Sequence, residues 1–215
     1  MRPYPREPVA SAFTLIELLA VIAVMLVMTG LLAAAFTGIG KGSALTAAGN
    51  NVSNLALLAR QNSLAKNAMT ALLILGSSGT AEDYRALALY EIVPHADGTP
   101  VRAADWTQLG RWETLPSGVV VDDCTFAPSS TAMTPPLATL TYKGSPVASY
   151  QYVVFLPSGS LLRVEPARVR LVQGFREPGR ETVSYTGARA ANGEPANYYD
   201  ISIISANGRV KVDRP

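Results

Sequence analysis

The chain has one cysteine, Cys124, and one histidine, His95, among 215 residues. These two scarcities exclude a great deal. A disulfide within the chain cannot form. There is no Cys or His cluster to hold zinc or haem. A Ser-His-Asp site would have to use His95, which follows Pro94 in a polar stretch and reads as a solvated loop histidine. Cys124 reads as a small buried apolar side chain. Also missing are a G-x-S-x-G elbow, a Walker A loop and a dinucleotide fingerprint. Asp122 and Asp123 are adjacent, so in a strand they face opposite sides and make a poor acid–base or calcium pair. Glu82-Asp83 lacks the alternating spacing of a calcium loop. The sequence therefore offers no catalytic residue, no metal site and no cofactor, and the expectation is a protein that is not an enzyme.

Charge is scarce too, at 16% of residues, with a formal net charge of +2. No global field points to an acidic or basic partner. The scarcity is concentrated. Between Phe13 and Gly40 the only charged residue is Glu17. Residues 1–12, MRPYPREPVASA, carry Arg2 and Arg6 against Glu7, and three prolines keep them from being helical. Residues 13–36 then form an apolar run without proline. As a helix it would be about 36 Å long, enough for a hydrocarbon core of about 30 Å with some tilt. Basic residues precede the run, so the N-terminus is expected to stay cytoplasmic.

Three readings compete for this run. One is a plain signal anchor. Another is a secretory signal peptide cut after Ala35, since Ala33 and Ala35 form an A-x-A pattern. Neither has a use for Glu17, a carboxylate that costs about 2.5–3.5 kcal/mol when central in a membrane and less near an end.

The third reading accounts for it. Ala12-Phe13-Thr14-Leu15-Ile16-Glu17-Leu18-Leu19, between a hydrophilic leader and a long apolar run, resembles the type IV prepilin processing site. That resemblance implies cleavage by a prepilin peptidase between Ala12 and Phe13, followed by N-methylation of Phe13. The fifth residue after the cut is a Glu in that family, here Glu17. Where the family usually has Gly before the cut, this chain has Ala12. The resemblance implies a type IV pilin or pseudopilin. Such a subunit is held in the inner membrane as a single-pass protein with its C-terminal domain periplasmic. It later packs with other subunits into a type IV pilus or a type II secretion pseudopilus. Physically, cleavage would place an amine at Phe13, and in a staggered bundle that amine can meet a neighbour's Glu17. Two charges costly alone become tolerable as a pair, which then sets register more than stability.

Glycines 38, 40 and 42 weaken the helix after the run, so a local loosening is expected there. Helical spacing then resumes: Ala48, Val52, Leu55, Ala59, Ala65, Met69 and Leu72 share a face, with Asn62 as the polar exception. The expected layout is a leader over 1–12, a transmembrane or filament-core helix over 13–36, and an amphipathic continuation over 37–68. A globular domain would occupy 69–215. Residues 69–75 and 84–93 could form a hairpin around Gly76-Ser77-Ser78-Gly79. Further strands are expected at 118–126, 138–142, 149–156, 160–164, 168–174, 198–205 and 209–212. Asn207-Gly208 predicts a type I′ hairpin turn. No amphipathic helix separates the strands, so the fold class is α+β: a long hydrophobic spine helix followed by an antiparallel β-sheet domain. Residues 127–137 and 186–197 read as irregular loops. The spine followed directly by strands, the Phe155-to-Ser160 turn and the final hairpin resemble the minor H-type pseudopilins and FimT-like pilins. The size and layout also resemble the Verru_Chthon cassette protein D group.

One cluster supports an alternative. Arg163, Arg168, Arg170, Arg176 and Arg180 lie close in sequence, with Glu165 and Glu177 as the intervening acids. Such a patch could hold DNA phosphates without sequence preference, as in FimT-like minor pilins that bind DNA for uptake. Tyr185, Tyr198 and Tyr199 could stack on bases or simply belong to the sheet. The competing account is a solvated face paired with local acids. A third alternative is a secreted or anchored protein outside any filament. Trp106 and Trp112 read as core anchors.

Overall fold

The structure, a computed structural model, describes residues 14–93, 105–126, 140–147, 149–180 and 182–214, with side chains 32–41 outside that description. The leader, Ala12, Phe13, His95 and the loop at 127–137 therefore lie outside the described residues. The chain divides into two compact units, Met1–Gly40 and Lys41–Pro215.

One helix, α1 (Leu15–Lys66), runs through both. No break occurs at glycines 38, 40 and 42, contrary to the expected loosening: three glycines cost helix stability without forbidding the conformation. The helix ends where Asn67 adopts a left-handed φ of 50°, a conformation Asn tolerates as a C-terminal cap. Within the second unit α1 buries Leu45, Ala48, Val52, Leu55, Ala56 and Ala59. Two positions of the expected stripe differ. Ala65 is exposed and Ser63 is buried in its place, donating its hydroxyl to the Arg60 carbonyl at 2.8 Å. Met69 and Leu72 already belong to the first strand. The Asn62 amide donates to Thr70 Oγ1 at 2.9 Å and ties helix to strand.

The strands are antiparallel throughout. In the first sheet β1 (Met69–Leu75) is central, flanked by β2 (Ala86–Ile92) and β8 (Tyr150–Phe155). Two short strands, β3 (Trp106–Gln108) and β4 (Glu113–Thr114), pair with β2. Every residue of β1 is buried, because both faces of this sheet are covered. Leu72, Ile74, Leu87, Leu89, Val153 and Phe155 join the core that includes the helix stripe. Ala71, Leu73, Ala88, Tyr90, Tyr152 and Val154 join a second core with Trp106, Leu140, Tyr142 and Val147. Tyr142 lies in the hairpin of β6 (Thr141–Tyr142) and β7 (Ser145–Pro146).

In the second sheet β9 (Ala167–Arg176) pairs with β5 (Val119–Cys124), β10 (Val183–Tyr185) and β11 (Tyr198–Ile203), and β12 (Val210–Asp213) pairs with β11. Val119, Val121, Val169, Leu171, Ile201 and Ile203 join the helix-side core. Fully burying such side chains contributes about 1.5–3 kcal/mol each. The fit to the helix is close at Gly49. A Cβ there would lie 2.3 Å from the Tyr199 ring, so only glycine leaves room for it. The Tyr199 hydroxyl donates to Asn50 Oδ1 at 3.2 Å and accepts from Arg214 at 2.8 Å.

Three local expectations change. Residues 160–164 contribute a single bridge, Leu161 to Phe155, and no strand. Strands β3, β4, β7 and β10 carry too few residues to show a periodicity. The Asn207-Gly208 turn is not type I′, because only Gly208 has positive φ, and its N–H reaches back to the Ile204 carbonyl at 2.8 Å. A longer loop is needed there to bring Gly208 onto a second turn, where a Cβ would meet the Gly159 carbonyl at 2.2 Å.

Candidate functional site

The start of α1 is built from two side chains. Thr14 is the N-cap: its hydroxyl accepts from the Glu17 N–H at 3.3 Å. The Glu17 carboxylate reaches back and accepts from the Thr14 N–H at 2.9 Å and the Thr14 hydroxyl at 2.8 Å. This reciprocal arrangement is a capping box: the Thr14 N–H finds an acceptor, and the Glu17 N–H, which also reaches the Thr14 carbonyl at 3.1 Å, gains a second. Sequence reasoning missed it, although T-x-x-E before an apolar run is its signature. Glu17 thus has a use within its own chain as well as the intersubunit one expected from the resemblance.

From Leu18 to Leu31 the side chains of α1 are exposed and, apart from Thr29, apolar. Leu15 is 82% exposed, Leu26 69% and Leu31 71%, and Ile16, Leu18, Leu19, Val24, Met25, Val27 and Met28 are exposed as well. Thr29 satisfies its hydroxyl on the Met25 carbonyl at 2.7 Å. Among the described residues no helix is long and apolar enough to cross a membrane. Of the expected span of 13–36, Phe13 and the side chains of 32–36 lie outside the description.

The arginines differ in their partners; Arg168, Arg170 and Arg176 all lie on β9. Arg170 makes a bidentate pair with Asp200 at 2.8 and 2.9 Å and lies over the Tyr198 ring at 4.5 Å. The Asp200 hydrogen bonds raise its pKa still further above the ordinary arginine value. Arg176 donates to the Val121 and Asp122 carbonyls, at 3.0 and 2.8 Å, and lies 3.8 Å over Tyr84. Arg163 donates to the Thr125 carbonyl and lies 3.8 Å from Glu165. Arg180 pairs with Glu177 at 3.1 Å, and Arg168 is exposed. Of the tyrosines, Tyr199 is buried and Tyr185 donates to Asp122 Oδ1 at 2.9 Å. A bulge between Val121 and Asp123 interrupts the strict alternation expected of Asp122 and Asp123.

Cys124 is partly buried on β5, and loss of solvent pushes its thiol up to about 12, the opposite of an activated nucleophile. Asp83 is buried and accepts from the N–H groups of Ser78, Gly79 and Thr80 and from the Thr80 hydroxyl, at 2.8–3.1 Å. A fifth donor, the Gly179 N–H at 3.3 Å, comes from the β9–β10 turn. Asp83 is a structural acid that knits two turns together. Among the described residues no group of three His, Cys, Asp or Glu could hold a metal ion.

No family model matches the chain, and no curated protein does. Solved structures do. The minor pseudopilin EpsH from the Type 2 Secretion System of Vibrio cholerae aligns with 80% of this chain and 97% of its own, at 11% identity and a TM-score of 0.44. The type IV minor pilin FimU of Pseudomonas aeruginosa aligns with 80% of this chain and 92% of its own, at 13% identity and a TM-score of 0.43. At that distance the functional case rests on the chain's own residues.

Proposed function

We propose that this chain is a structural, non-catalytic minor pilin or pseudopilin subunit. A prepilin peptidase cuts between Ala12 and Phe13, and Phe13 becomes N-methylated. Residues 13–36 hold the chain in the inner membrane until it joins a pilus or pseudopilus by helix packing. The observation that carries the reading is the first half of α1. A row of large apolar side chains is left uncovered, and the one charge among them sits at the helix start. Water makes such a surface unfavourable at about 25 cal/mol per Å², so lipid or other apolar helices are its natural surroundings. Glu17 caps its own helix in the single chain. In the assembled bundle its carboxylate also answers the Phe13 amine of a neighbour and fixes axial register.

The test is the mature N-terminus by mass spectrometry. N-methyl-Phe13 is expected. An intact Met1, or a start at Phe36, would sink the reading and favour an anchored or secreted protein outside any filament. DNA retention by the arginines is the weaker alternative, since Arg170 and Arg176 are already engaged by Asp200 and by main-chain carbonyls.

A further inference from the structure

On the outer side of the first sheet an open groove of about 520 Å³ separates the β3–β4 segment from the β6–β7 hairpin. Gln108, Arg111, Trp112 and Thr114 line one side, and Tyr142 and Lys143 the other. Three features of this groove bear on what it can bind.

The first is Lys143. It has φ 50°, and Gly144 follows at 83°, so the two form a type I′ turn between β6 and β7. Gly, Asn or Asp normally fills that first position, and a long side chain there is held in a disfavoured conformation. The turn sets the Lys143 ammonium at the groove, 2.6 Å from Glu82 Oε1 and 5.3 Å from the centre of the Tyr142 ring. The second is Trp112. It is only partly buried, yet its orientation is fixed: its indole N–H donates to the Thr141 carbonyl at 3.0 Å, and its ring packs edge-on with Tyr142 and Tyr90. The third is the sheet edge. Val93 N–H bonds the Asp105 carbonyl and Leu109 N–H bonds the Leu89 carbonyl. Odd-numbered residues of this segment therefore face β2. The peptide groups of Trp106 and Gln108 point to the outer edge, where the sheet order ends at β3.

We propose that this groove binds an extended segment of a partner protein that carries a carboxylate beside a large apolar side chain. The outer edge of β3, unpaired among the described residues, supplies main-chain hydrogen bonds, as in strand addition. The fixed Trp112 ring takes the apolar side chain. Arg111 and Lys143 are the cations among the described lining residues; Lys143 is already paired with Glu82 at 2.6 Å, so Arg111 carries the selection of the acid. A sugar would use the ring and the cations but not the strand edge, which is why a polypeptide is the occupant.

The test uses the full chain in detergent micelles, titrated with a fluorescein-labelled copolymer of glutamate and tyrosine and followed by anisotropy. Saturable binding is expected. Arg111→Gln should weaken it about tenfold, the loss expected when one charge-assisted hydrogen bond is removed, and Lys143→Gly, which leaves Glu82 unpaired beside the groove, should weaken it too. Trp112→Ala should weaken it as well. Lys143→Gly is informative because glycine relieves the left-handed residue. Its thermal midpoint should not fall, so lost binding cannot be lost folding. Absence of copolymer binding, equal binding by both charge variants and the parent chain, or full displacement by polygalacturonate would each overturn the proposal.

Discussion

The two halves of α1 use apolar residues in opposite ways. Up to Leu31 most of the described side chains are large and apolar, and all are exposed. From Leu45 to Ser63 the buried stripe is mostly small: Ala48, Gly49, Val52, Ala56, Ala59 and Ser63. Small residues let sheet side chains approach the helix axis, as the Tyr199 ring does at Gly49. Large ones displayed all round suit a surface that must meet lipid or several neighbouring helices without a fixed jigsaw. One continuous helix is therefore both a precise packing element and a general apolar one. Residue size on the apolar positions, as well as the polar face that the second half carries, tells the halves apart.

The largest effect should come from the exposed half. Glu17→Ala should abolish incorporation into multimers, measured by cross-linking and sedimentation of the filament fraction, while thermal unfolding of the second unit stays unchanged. Unaltered assembly would leave Glu17 as a helix cap alone. Thr14→Ala removes the cap and retains the carboxylate; its cost should be about 0.5–2 kcal/mol of helix stability, with assembly reduced rather than lost. In the buried half, Phe155→Ala should destabilise the domain by about 3–5 kcal/mol in denaturant unfolding, since the side chain is fully buried against the helix-side core. Gly49→Val should cost about 1–3 kcal/mol through overpacking against Tyr199. A neutral result there would mean that helix and sheet can part cheaply.

Arg170→Gln should cost about 2 kcal/mol, because Asp200, 8% exposed, would lose its charged partner. DNA retention that depended on Arg170 would have to survive the Asp200 pair, so Arg168→Gln is the cleaner variant for that question. The smallest effect is expected at Lys66, whose ammonium lies 2.6 Å from Glu91. The Lys66 hydrogen bond holds the Glu91 carboxyl below its ordinary value. A depressed carboxylate contributes stability that is present above the unfolded-state pKa, near 4.5, and lost as pH falls through the folded-state value. Lys66→Gln should thus lower stability at neutral pH by about 0.2–1 kcal/mol and flatten its loss in acid.

Much of the fold was readable in advance, and the reasons are local. Residues 69–75 and 84–93 bracket a turn-rich stretch, and they do form β1 and β2 in antiparallel register, Met69 opposite Ile92. The long strands β5, β8, β9 and β11 announce themselves by valine, isoleucine and tyrosine content. Short strands do not, because two or three residues carry no period. Turn chemistry misled in both directions. Asn207-Gly208 carries the strongest hairpin signal in the chain and forms a longer loop, whereas Lys143-Gly144, which carries little, forms the type I′ turn. At Gly208 the close approach of the Gly159 carbonyl goes with the longer loop, and at Lys143 the two-residue spacing of β6 and β7 requires positive φ at both positions. At the candidate site, isolation in an apolar run marks out Glu17, and the T-x-x-E spacing that pairs it with Thr14 is the local signal of its cap.

What the residues determined unaided is where apolar character runs unbroken and where it alternates, because hydrophobic periodicity is written into a chain before it folds. A lone carboxylate at residue 17 and an antiparallel domain behind a long helix follow from that pattern. What only the folded molecule decided is which polar groups find one another. The guanidinium of Arg170 meets Asp200 thirty positions away, and the buried carboxylate of Asp83 gathers Gly179 from another turn. Those pairings depend on how the sheets bring distant residues together, a distance that no local pattern encodes.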